Sequence, residues 1–79
     1  MRAQLREGLG VMSSDGVKVG TVKEVRAQDL LVIRPLGSNL YVPIDDVADI
    51  AADRLVLDVS ADQVNKMRWE HPSAERPAA

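Results

Sequence analysis

At 79 residues the chain has room for one small domain, with 46% apolar residues, 28% charged residues and a formal net charge of -2. A domain of this length buries only about 60% of the surface its unfolded chain exposes, so its core alone is marginal. No cysteine and one histidine, His71, are present, which excludes disulfides, thiolate metal sites and paired imidazole ligands as supports.

Self-association is the support left over, so a homo-oligomer is expected, a dimer before larger assemblies. No stretch approaches the roughly 18 apolar residues of a membrane-spanning helix, and Met1 to Gly8 has no apolar run of secretory length. A cytoplasmic protein with no membrane contact is expected. Charge is unevenly spread. Met1 to Arg34 has six basic and four acidic residues, whereas in Pro35 to Asp62 only Arg54 opposes six aspartates. An acidic second half repels polyanions, so any nucleic-acid contact has to use the first half.

In chain order, Gly8 to Ser13 alternates Leu9 and Val11 on one side, the pattern of a half-buried strand. Asp15 and Gly16 follow between two β-prone runs and read as a hairpin turn, since glycine takes positive φ without a Cβ clash. Val17 to Arg26 is rich in β-branched residues, but its apolar phase slips between Val19 and Val22. Gly20 sits at the slip and reads as a bulge or a bend held at positive φ. Ala27 to Asp29 is an expected turn, Leu30 to Ile33 a strand covered on both sides, and 35–39 a loop. Leu40 to Ile44 alternates again, with Pro43 marking a strand end or an edge. Asp45 and Asp46 suit a short turn, and Val47 to Ile50 with Arg54 to Val59 form a last hairpin.

Ser60 and Gln63 have capping-box spacing. They predict a helix from Ala61 to about Trp69, with Ala61, Val64 and Met67 on one stripe, closing one mouth of the fold. Residues 70–79, with two prolines and small polar side chains, read as a disordered tail. The fold expected is mainly β: a small closed five- or six-stranded antiparallel barrel over residues 1–69 with a short C-terminal capping helix. Closure would remove the two edges that make a small open sheet adhesive.

The run from Ser14 to Val22 (SDGVKVGTV) resembles the opening hairpin of PRC-barrel domains, which has Asp-Gly, two residues, an aliphatic, Gly, one residue and an aliphatic. Tyr41 to Val47 (YVPIDDV) is similar to that family's aromatic-aliphatic-proline strand and its carboxylate turn. Leu55 to Leu57 followed by Ser60 to Asp62 is similar to a branch of small stand-alone bacterial proteins of uncharacterised role. The likeness spans roughly Leu5 to Met67. PRC barrels occur as the cytoplasmic domain of the photosynthetic reaction-centre H subunit and as a domain of a ribosome maturation factor. The resemblance implies an adaptor that grips another protein, with no family catalytic residues, and it leaves the partner open.

Other chemistries find little in the residues. Asp45, Asp46, Asp49 and Asp53 have the oxygens hard cations prefer but lack an EF-hand's glycine and bidentate glutamate. Asp45 and Asp46 cannot converge as an acid–base pair, because neighbours on an extended chain point apart. Ser13 and Ser14 have no nearby base, and Gly8-Leu9-Gly10 lacks the rest of a phosphate loop. No catalytic residue, metal or cofactor is expected. Two readings stay open. In the first, the chain is a non-enzymatic interaction module whose contact residues include Tyr41, Met67 and Trp69, tryptophan being enriched at interface centres. In the second it is a ribosome- or RNA-associated factor using Lys18, Lys23, Arg26 and Arg34 as a basic strip. That use normally also needs stacking aromatics, and only Tyr41 and Trp69 are present.

Overall fold

A computed structural model describes residues 5–35, 37 and 39–72; the expected tail falls largely at 73–79, outside the described residues. Six strands, β1 (Gly10–Met12), β2 (Lys18–Val25), β3 (Asp29–Ile33), β4 (Leu40–Pro43), β5 (Val47–Ile50) and β6 (Arg54–Leu57), are joined by a 3-10 turn at Ile44–Asp46 and followed by helix α1 (Ala61–Val64). They form one sheet in the order β4-β3-β2-β1-β6-β5.

The sheet is mainly β as expected, but hydrogen bonding does not close it into a barrel: β4 and β5 are its two ends. Its shape follows from the connection between those ends. A flat six-stranded sheet holds its outer strands about 24 Å apart at the usual ~4.8 Å spacing. Here only the three residues of the 3-10 turn separate Pro43 from Val47, a reach of at most about 15 Å at ~3.8 Å per residue. The sheet must therefore curl until its ends face each other. Two backbone bonds tie the turn to the strands beside it: Ile44 N–H donates to Gln28 O (3.1 Å), extending the β3–β4 ladder, and Asp58 N–H donates to Asp46 O (2.9 Å), extending the β5–β6 ladder. Pro43 has no N–H to extend the ladder, so β4 ends there and the turn begins.

Nor is the sheet wholly antiparallel. β1 and β6 run parallel, pairing Val11 with Leu55, because the long intervening chain is free to bring β6 back in either direction. The two β-bulges of β2 are visible as register shifts, one opposite Val11 and Met12 and one between Val22 and Glu24. They account for the apolar phase slip: Val22 reaches the core, while Val17 stays 50% exposed. Asp29 begins β3 rather than lying in the turn before it.

Gly20 departs from its expected conformation. The positive φ values belong to Gly8 and Gly16 (91° and 85°), not to Gly20. Gly20 is needed for close approach instead. A Cβ there would press on the Ile33 carbonyl oxygen and lie 2.8 Å from Val32 Cγ1. In the β1–β2 turn, Gly16 N–H donates to Ser13 O (3.0 Å) and Ser13 N–H donates to Val17 O (2.8 Å), and the left-handed Gly16 makes that reversal possible.

The core is aliphatic: Leu9, Val11, Val22, Leu30, Val32, Leu40, Val42, Leu55, Leu57 and Val64, together with Trp69. Ser60 and Gln63 form the capping box, with Ser60 N–H donating to Gln63 Oε1 (2.9 Å) and Gln63 N–H to Ser60 Oγ (3.3 Å). The helix, however, stops at Val64 and does not reach Trp69. Geometry explains the shortening. On a continued helix Trp69, five residues past Val64, would lie about 140° around the axis from it, since each residue turns about 100°. Leaving the helix lets both side chains enter the same core. Trp69 is wholly buried, and its carbonyl accepts the Tyr41 N–H on the outer side of β4.

Two stability experiments test these assignments. Gly20→Ala should destabilise by about 1–3 kcal/mol, the usual cost of forcing atoms into a filled site, read from the urea midpoint. A midpoint equal to wild type would show that the strands do not approach so closely. Trp69→Ala should cost about 3–5 kcal/mol, most of the stability of so small a domain, and thermal unfolding monitored by circular dichroism would reveal it.

Candidate binding surface

Core packing leaves an apolar strip on the outside of β2 and β3. A groove of about 500 Å³ is lined by Lys18, Val19, Gly20, Thr21, Ile33 and Pro35. A second, of about 180 Å³, shares Lys18 and Val19 and continues along Val17, Arg34 and the α1 residues Ala61, Val64 and Asn65. Val17 and Ile33 are 50% and 38% exposed. Single exposed aliphatics are ordinary, whereas exposed aliphatics gathered beside a cleft make a candidate contact surface. The charged side chains lining it are cationic, Lys18 and Arg34.

The helix wall of the groove is held by the β1–β2 turn. Asp15 Oδ1 accepts the Ala61 N–H (3.2 Å) and also the Ser13 hydroxyl. Ser13 Oγ in turn accepts the Val17 N–H (3.0 Å), and Ser14 N–H donates to Val59 O (2.8 Å). These donors stabilise the charged carboxylate, the Ser13 hydroxyl most, and hold Asp15 below the usual carboxylate range. Ser13 is therefore committed to the turn and is not placed as a nucleophile.

The expected basic strip is divided. Lys18 and Arg34 come together at the groove. Lys23 is exposed at the second bulge of β2. Arg26 is engaged at the far end: its Nε lies 2.8 Å from Oδ1 of the buried Asp29, and its guanidinium sits 5.1 Å from the centre of the Tyr41 ring. A charge this deep requires such a partner. Tyr41 is half-buried beneath that guanidinium, Met67 is half-buried against the core, and Trp69 is wholly inside. Trp69 thus closes the fold and offers no exposed contact, and it offers no stacking surface. Pro43, Asp15, Gly16, Ser60 and Gln63 sit at the turns and the cap described above.

Asp45, Asp49 and Asp53 are exposed and Asp46 half-buried. Among the described residues no three carboxylates or imidazoles converge as a metal site. The groove was the feature missed from sequence, although its signal was present: Val17 and Val19 share a parity that Val22 does not. The Arg26–Asp29 pair left only its three-residue spacing as a clue.

A small curled six-stranded sheet with an external apolar groove defines the class. Residues 5–65 match a family of uncharacterised proteins conserved in bacteria, DUF2171, and the chain belongs to it. No curated protein and no solved structure matches the chain. The matched span stops short of Trp69, whose burial completes the core.

Asp15 gives a pH-dependent test of the wall. A carboxylate whose folded pKa is depressed adds stability at neutral pH that is lost as pH falls from about 4 through the folded value. Asp15→Asn should therefore melt lower than wild type at neutral pH, with the gap narrowing on acidification below about pH 4. A gap that is constant with pH would remove the carboxylate from that role.

Proposed function

We propose that this protein is a non-enzymatic protein-interaction module of the cytoplasm that binds through the β2–β3 groove and self-associates. The observation that carries the reading is the groove itself. Val17, Ile33 and Pro35 supply exposed hydrocarbon, Val19 lies half-buried between them and the core, and Lys18 and Arg34 add charge beside it. Hydrocarbon with a charged rim is the composition of adhesion surfaces. Among the described residues the groove lining next to Lys18 and Thr21 holds no carboxylate or imidazole. No helix among the described residues is long and apolar enough to cross a membrane.

The likeness of the Asp15–Gly16 hairpin and of the Tyr41 to Val47 stretch to PRC barrels belongs to the same proposal. A sheet curled until its ends face each other is compatible with a barrel relative whose seam has opened, and PRC barrels serve as adaptors. The RNA-associated reading draws less support. Arg26 is bound to Asp29 and lies over one face of the half-buried Tyr41 ring, and Trp69 is wholly buried.

Photo-crosslinking in living bacterial cells tests the surface. Ile33→p-benzoylphenylalanine should give discrete, reproducible protein adducts, and the same residue at the exposed Glu7 should not. Identical adduct patterns from the two positions would overturn the groove as the contact site.

A further inference from the structure

Residues 65–69 are under two incompatible pulls. Locally they favour helix. The Ser60–Gln63 capping box opens α1, and Ala61, Val64 and Met67 recur at three-residue spacing. Asn65, just past the last helical residue, still has helical angles (φ -70°, ψ -16°), and Met67 N–H still donates back to Gln63 O (3.1 Å). Continuing the helix would pair Arg68 N–H with the Val64 carbonyl and Trp69 N–H with that of Asn65. The core pulls the other way, because a continued helix with Val64 anchored inside carries Trp69 away from it. Burial of the ring decides the contest, and it leaves a polar group dry. The buried Trp69 Nε1 has no hydrogen-bond partner among the described residues. At the same point the Trp69 carbonyl accepts the Tyr41 N–H and covers the outer side of β4. A local preference in conflict with the global packing is the mark of a two-state element.

We infer that residues 65–69 are a strap that opens separately from the sheet. In the closed state the ring fills the core and the Tyr41 N–H is covered. In the open state α1 runs on to Trp69, the indole N–H meets water, and the edge of β4 is bare at Tyr41. The open state is a minor one, in the range of about 0.1–10% usual for such conformers. Its opening controls whether β4 can accept another strand. The strap is independent of what the β2–β3 groove binds, and the crosslinks from Ile33 test that groove separately.

Native-state hydrogen exchange, followed by NMR on the full chain, tests the strap. The Tyr41 amide and the Trp69 indole N–H should show similar protection, about tenfold or more below that of the Val22 amide, which is bonded to Leu9 O in the middle of the sheet. Urea up to about 1 M should lower the protection of Val22 and barely change the other two, because local opening exposes little surface. Arg68→Gly, at an exposed position, disfavours the longer helix and should raise protection of the Tyr41 amide by about three- to fivefold. Equal protection at all three sites, falling together with urea, would overturn a separately opening strap. Arg68→Gly that leaves Tyr41 protection unchanged or lowers it would overturn the helical open state.

Discussion

Three residues between Pro43 and Val47 join the two end strands of a six-stranded sheet, and that short tether decides the shape of the molecule. With the ends forced to face each other, the inward side chains of β1, β2, β3, β4 and β6 point to one axis. Eleven side chains then suffice for a core that a flat sheet of this length could not cover. The right-handed twist of strands favours the same curl, and the bulges of β2 sharpen it where the sheet bends most. Gly20 permits the close approach of β2 to β3 at that bend, since only a bare backbone fits beneath the Ile33 carbonyl.

An open seam raises the problem that closure would have solved, namely two edges with unpaired backbone groups. The two edges are protected differently. On β4, the Tyr41 N–H is taken by the Trp69 carbonyl and Pro43 has no N–H to offer. β5 is four residues long, shifted in register between Val47 and Asp49, and carries an exposed aspartate. Short length, a bulge and a charge each discourage a second strand from pairing. Trp69 thus covers an edge with its backbone and fills the core with its ring. Its buried Nε1 has no hydrogen-bond partner among the described residues. That omission costs about 1–3 kcal/mol, and burying so large a ring offsets it.

Most strands were legible because the chain writes them locally: alternation in Leu40 to Val42, β-branched residues in β2, the Asp15–Gly16 turn and the Ser60–Gln63 cap. What was not legible depends on distant partners. The parallel pairing of β1 with β6 has no local signature, because the direction of a long return is set by packing. The helix was read too long because Met67 continues the stripe of Ala61 and Val64. The competing pull was the position of Trp69, which only a non-helical path brings inside. Gly20 was read through its own dihedral freedom, whereas the constraint comes from the neighbouring strand. Asp29 looked like a turn residue because an exposed aspartate is the common case, and burial appears only once Arg26 folds over it.

The groove arises from the same packing that makes the core. A strand that alternates perfectly would bury one set of its valines and leave polar residues outside. β2 and the residue before it instead carry valine on both parities, and the bulges select Val22 for the interior. Val17 is left facing outward with Ile33 near it, and Val19 lies half-buried between the groove and the core. That surplus of hydrocarbon is paid for by solubility and adds nothing to the sheet's own ladder. The hydrocarbon of Val17 and Ile33 thus lies outside a core that is filled without it.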